Sequence, residues 1–113
     1  MSKAKLPDAL ARRHLLEGKL DAKKARAFAD AYLEQSREIE AIDFLARAEA
    51  TDELKRLQKE ALERGDVFLM KAASVALDDE PDAQAWSALA SAATAKGRLR
   101  DAESAARLAT VEG

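Results

Sequence analysis

The chain has 113 residues, with 19 Lys and Arg against 21 Asp and Glu, a net charge of −2 and no cysteine. That length allows one compact domain, and the charge balance gives no sign that nucleic acid or membrane is the main partner. The missing cysteines exclude disulfides, a thiolate nucleophile and cysteine-based zinc sites. Of the apolar residues, 27 are Ala and 15 are Leu, whereas Val and Ile together number five. Ala, Leu, Glu, Lys and Arg are strong helix formers, and five β-branched aliphatic residues cannot furnish an ordinary sheet, so the composition predicts an all-α chain.

Sparse punctuation divides the chain into about seven short helices. Pro7 opens the first, over 7–17, with Leu10, His14 and Leu15 or Leu16 on one side. Gly18, tolerant of a left-handed backbone, ends it. Asp21 caps the second, about 21–34, where Ala25, Phe28, Ala29, Tyr32 and Leu33 form an amphipathic stripe. Ser36 is expected to cap the third, about 37–49, with Ile39, Ile42, Leu45 and Ala46 inward and Phe44 flanking them. Thr51 is expected to cap the fourth, about 52–64, which buries Leu54, Leu57 and Ala61 and stops at Gly65. The fifth, about 66–78, offers Phe68, Leu69, Ala72, Val75 and Ala76 to the core. Beyond Pro81, Asp82 starts the sixth, about 82–96, with Trp86, Leu89, Ala90 and Ala93 inward, and Gly97 turns the chain into the seventh, about 98–111.

Helices two to seven pair into three hairpins that follow one ruler. Ala25, Phe28, Ala29, Tyr32, Ala41, Leu45 and Ala48 match Leu54, Leu57, Gln58, Ala61, Met70, Ser74 and Leu77. They match again Trp86, Leu89, Ala90, Ala93, Ala102, Ala106 and Ala109, with turns at Ser36, Gly65 and Gly97. The architecture predicted is an antiparallel helix-hairpin stack in a single domain over 1–113. It comprises a capping helix over 1–20 and hairpins over 22–50, 51–80 and 82–112. A two-helix unit cannot bury its own apolar face, so neighbours must stack. Phe28, Tyr32, Phe44, Phe68 and Trp86 are expected to fill the space that Ala leaves.

The spacing resembles the tetratricopeptide repeat, most closely at Trp86-Ser87-Ala88-Leu89-Ala90 and Lys96-Gly97-Arg98-Leu99-Arg100-Asp101-Ala102. Gln58 and Ser74 depart from it by standing where the family has apolar or small residues. A HEAT-like or irregular helical stack is the other arrangement the spacing allows. The resemblance implies a superhelix whose first helices line a groove for protein segments. Its outward positions are Lys23, Arg26, Asp30 and Leu33, then Asp52, Lys55, Lys59 and Glu63, then Gln84, Ser87, Ser91 and Thr94. Lys55 and Lys59, at i and i+4, can meet a carboxylate. The family's carboxylate clamp also needs Asn, which this chain lacks, so that specificity is not carried over.

Other chemistry is thinly represented. His14 is the only histidine; His14 and Glu17 have a di-iron spacing without the second pair such a site requires. Asp78-Asp79-Glu80-Pro81-Asp82 lacks the alternation of a calcium loop and is read as favourable charge before a helix. No glycine cluster cradles phosphate. Residues 1–26 carry eight basic and three acidic residues, with Arg12, Arg13, Lys19, Lys23 and Lys24 as the basic patch. The sequence therefore predicts no enzyme, metal or cofactor, and a cytoplasmic module binding a protein or peptide, with nucleic acid at the basic end as the alternative. The start lacks a signal-peptide core, and no run is long and apolar enough to span a membrane. Helix seven, with no helix after it, leaves an apolar strip open, and a homodimer through helix seven or helix one is expected.

Overall fold

A computed structural model describes residues 6–111, the last of them by its backbone alone. Seven helices account for most of it: α1 (Ala9–Glu17), α2 (Ala22–Glu34), α3 (Glu38–Arg47), α4 (Thr51–Arg64), α5 (Val67–Leu77), α6 (Ala83–Ala95) and α7 (Leu99–Val111). No strand occurs among the described residues. The chain divides into two compact units, which part within α4 between Glu53 and Leu54.

Four helices start under an aspartate. Asp8 accepts from Ala11 N–H at 2.8 Å, Asp21 from Lys24 N–H at 2.8 Å, Asp66 from Leu69 N–H at 3.0 Å and Asp82 from Ala85 N–H at 2.8 Å. Each satisfies one of the donors a helix start leaves open. The expected caps at Ser36 and Thr51 are not found. Arg37 occupies the N-cap of α3 without a side-chain bond, and Thr51 is already the first residue of α4. Ser36 instead ends α2 with a left-handed backbone, φ 58°.

That left-handed residue belongs to a recurring chain reversal. Ser36, Glu49, Gly65, Asp78 and Gly97 all have φ between 52° and 74°. The next N–H in each case bonds five residues back: Arg37 to Tyr32 C=O at 2.9 Å, Ala50 to Leu45 at 2.9 Å, Asp66 to Ala61 at 2.9 Å, Asp79 to Ser74 at 3.0 Å and Arg98 to Ala93 at 2.8 Å. This is the Schellman closure, which satisfies carbonyls at a helix end. Ser36 and Gly65 stand 29 residues apart, as do Glu49 and Asp78. Gly18 does not join the set, because its φ is −90° with extended ψ. Two carbonyls at the end of α1 are met by a side chain instead: Arg47 donates to Leu16 C=O and, at 2.6 Å, to Gly18 C=O.

The first unit is built around α2 and α3. Ala25, Ala29, Tyr32, Ala41, Ile42, Phe44 and Leu45 are buried, and the small Ala side chains let the helix axes approach. Phe44 is a centre of this core, with its ring 5.2 Å from Phe28 and 5.5 Å from Tyr32. Ala46, expected inward, is exposed. Tyr32 donates its hydroxyl to Pro7 C=O at 3.2 Å, which ties the segment before α1 to α2. Leu10 is 65% exposed, because α1 turns only Arg12, Leu15 and Leu16 partly inward and buries no residue fully.

In the second unit Leu54, Leu57, Ala61, Val67, Leu69, Met70, Ala73, Trp86, Leu89, Ala93 and Ala105 make the core. Gln58 and Ser74, the two polar residues on the ruler, are partners. Gln58 Nε2 donates to Ser74 Oγ at 2.9 Å and to Asp79 C=O at 3.3 Å, so the buried hydroxyl is satisfied. Phe68 and Val75 overturn the expected face of α5: they are 66% and 81% exposed. Val67, Leu69, Met70, Ala73 and Ser74 turn inward in their place. Alternative apolar faces competed on this almost uniformly apolar helix, and packing chose between them. Along the whole ruler only Ala106 is exposed, with Ala105 buried beside it.

Candidate functional site

The nine positions expected on a groove, Lys23, Arg26, Asp30, Asp52, Lys55, Lys59, Gln84, Ser87 and Ser91, are all exposed. Lys23, Arg26, Asp30 and Asp52 belong to the first unit, where Arg26 Nε donates to Asp30 Oδ1 at 3.1 Å. The remaining five belong to the second. Lys55 and Lys59 do share a site. With Gln58 and Leu62 of α4, Met70 of α5, Pro81 and Ala85 they line an open groove of about 320 Å³. Leu62, Met70, Pro81 and Ala85 supply its apolar surface and the two ammonium groups its charge, while Gln84, Ser87 and Ser91 are not among the residues lining it.

The two arginines of the basic patch have partners within the chain. Arg13 Nε pairs with Glu17 at 3.1 Å, and Arg12 is half-buried with its charge acting on Glu40 and Asp43. Lys19, Lys23 and Lys24 are exposed, and Lys3 and Lys5 lie outside the described residues. Partial burial pushes the Glu40 carboxyl up. Hydrogen bonds from its own backbone N–H and from Arg37, at 3.1 Å, together with the Arg37 and Arg12 charges, outweigh that and hold it below the ordinary range. Asp43 goes the other way: partial loss of water raises it, and Arg12 opposes the rise without cancelling it.

These opposite directions make a sign prediction. A lowered carboxyl stabilises the fold above its unfolded pKa, and that contribution is lost as pH falls through the folded value; a raised one stabilises only at low pH. Glu40→Gln should therefore lower the thermal midpoint at about pH 7, and Asp43→Asn should raise it slightly. Both differences should shrink at about pH 3, as the wild-type carboxyls take up protons, Asp43 ahead of Glu40. Circular-dichroism melts at the two pH values check this, and the same sign for both variants at neutral pH would refute it.

The acidic run plays more than one part. Asp82 caps α6, but Asp78 is the left-handed residue closing α5 and Asp79 accepts from Gln58 through its carbonyl. Asp78, Asp79 and Glu80 stand beside a second cavity of about 460 Å³, together with Lys71, Val75, Trp86 and Leu108. The cavity is not legible in the sequence, where Trp86 falls in the sixth helix, Val75 on the expected inner face of the fifth, and Leu108 within the range of the seventh. A third hollow, of about 440 Å³, lies in the first unit between Leu6, Pro7, Ala11, Leu15 and Phe28. His14 is exposed in the last turn of α1, and no group of three or more metal-ligating side chains occurs among the described residues. None of the described helices is long and apolar enough to cross a membrane.

The class defined by these observations is an all-helical chain of short, tightly capped helices. No family model matches it, and neither a curated protein nor a solved structure does.

Proposed function

We propose that the chain is a non-catalytic protein-interaction module of the cytoplasm, a tetratricopeptide-like adaptor, chaperone-like holder or assembly subunit. It holds a segment of another protein against α4 and the start of α6. The observation that carries this reading is the open groove with Lys55 and Lys59 at its edge and Leu62, Met70 and Ala85 among its walls. An apolar surface with two exposed cations beside it suits a segment that presents apolar side chains and a carboxylate, with charge setting specificity. The alternative, nucleic acid at the basic end, must rest on Lys19, Lys23 and Lys24, since Arg12 and Arg13 are engaged within the chain.

Affinity capture with the wild type beside Lys55→Glu/Lys59→Glu tests the reading, with bound proteins identified by mass spectrometry. Both lysines are exposed, so the variant should keep its helical spectrum and lose the captured protein. An identical catch for both chains would sink the groove. Binding of a DNA or RNA duplex that falls steeply with salt would favour the alternative instead.

A further inference from the structure

Trp86 is 5% exposed and lines the cavity of about 460 Å³, a volume within the range of small-molecule sites, roughly 300–1,000 Å³. A buried indole usually finds an acceptor for its N–H. The Trp86 N–H donates to no group among the described residues, yet no side-chain nitrogen or oxygen there is shut away from solvent without a partner. The N–H therefore keeps contact with open space, and the cavity is the open space that Trp86 lines. Val75 and the half-buried Leu108 stand with the indole as apolar wall, and the exposed Asp78, Asp79 and Glu80 supply the charge. None of these three carboxylates forms an ion pair among the described residues, so Lys71, which also lines the cavity, neutralises none of them by contact.

We propose that this cavity binds a small organic amine: an ammonium on an apolar body, with an oxygen acceptor beside the charge. Each part of the ligand answers one feature of the site. The apolar body displaces water from Val75, Trp86 and Leu108. The ammonium meets the carboxylates of Asp78, Asp79 and Glu80, and the same excess of negative charge turns an organic anion away. The acceptor takes the Trp86 N–H, a donor that is costly to leave unpaired once the ligand has expelled the water around it. The Lys71 stem can lie along the wall with its ammonium in solvent, which leaves the carboxylates to the ligand. The Lys55 and Lys59 groove carries the opposite charge and shares only Pro81 with this cavity, so the two sites suit different ligands and neither depends on the other.

The probe for the test is leucine benzylamide, which carries two apolar groups, an α-ammonium and a carbonyl oxygen. Trp86 is the sole tryptophan, so the isotope-labelled whole chain gives one indole N–H resonance. Titration should move that resonance downfield, saturably, as the N–H gains an acceptor, with a dissociation constant on the order of 1 mM or below. N-acetylleucine benzylamide lacks the charge and glycinamide lacks the apolar body, and each should bind at least about tenfold more weakly. Asp78→Asn/Asp79→Asn/Glu80→Gln alters exposed side chains only, and Asn tolerates the left-handed backbone at 78. That variant should keep a wild-type helical spectrum and lose at least about tenfold in affinity. Lys55→Glu/Lys59→Glu should bind the probe as the wild type does, and a loss there would place the ligand in the groove and overturn the proposal. An indole resonance that stays in place at about 10 mM probe overturns it too, as does equal binding of the N-acetyl compound, which would mark an apolar hollow with no preference for charge.

Discussion

Gly65→Ala should destabilise the chain by about 2–5 kcal/mol, while Gly97→Ala should cost only about 1 kcal/mol. The two glycines have nearly the same backbone, φ 71° and 74°, so the cost of placing a side chain in the left-handed region is common to both. Their surroundings differ. A Cβ at Gly65 falls against the backbone of Ala93 and within 2.7 Å of its Cβ, whereas a Cβ at Gly97 meets nothing within 4 Å. Ala93 is itself fully buried in α6, so either helix end must move to admit the methyl group. Urea unfolding of the two variants measures the difference. Equal midpoints would show that the end of α4 does not abut α6.

Trp86→Ala should cost about 3–5 kcal/mol and lower the thermal midpoint by about 12–20 °C, at about 4 °C per kcal/mol for a chain of this size. Trp86 is 5% exposed and stands beside the 460 Å³ cavity, so the deleted indole leaves space that its neighbours cannot close. Phe68→Ala provides the contrast. The sequence reading gave both aromatics the task of filling gaps between Ala-rich helices, but Phe68 is 66% exposed and its truncation in dilute solution should change stability by no more than about 0.5 kcal/mol. Thermal melts at low protein concentration decide the matter, and a large effect of Phe68→Ala with a small one of Trp86→Ala would reverse the assignment.

The contrast shows what was legible in the residues and why. Helix number and ends were readable to within about two residues, because Gly65, Gly97, Asp21 and Asp82 punctuate the chain through chemistry that acts locally. The amphipathic faces of α2 and α4 were readable because polar residues mark the outer side of each. On α5, Val67 through Leu77 include one charged residue, Lys71, and the periodicity admits more than one inner face. Ser36 was read as a cap because Ser favours that position, yet the five-residue closure to Tyr32 took precedence and pushed it into the left-handed region. For the candidate site, the exposure of Lys55 and Lys59 and their placement on one face followed from the i, i+4 spacing. The walls contributed by Met70, Pro81 and Ala85 did not, since those residues meet α4 only through tertiary packing. The arginines of the basic patch were counted as free charge, whereas Arg13 and Arg12 face carboxylates that only helix pitch and tertiary placement bring near.

The repeated five-residue closure has a bearing on how the chain meets proteases. Apart from the segment between α5 and α6, successive helices are separated by no more than four residues. At four of these junctions, and at the start of the α5–α6 segment, the reversal is locked by its own backbone hydrogen bonds. A protease must draw an extended stretch of substrate into its cleft, and exposed loop tips are where such stretches are found. Between α1 and α7 the one longer connection holds Asp78, Asp79, Glu80, Pro81 and Asp82, a poor target for an enzyme that seeks Lys or Arg. Cleavage at the basic residues carried on the helices then depends on local opening, whereas Lys19, exposed between α1 and α2 where no such closure forms, is open to trypsin without it.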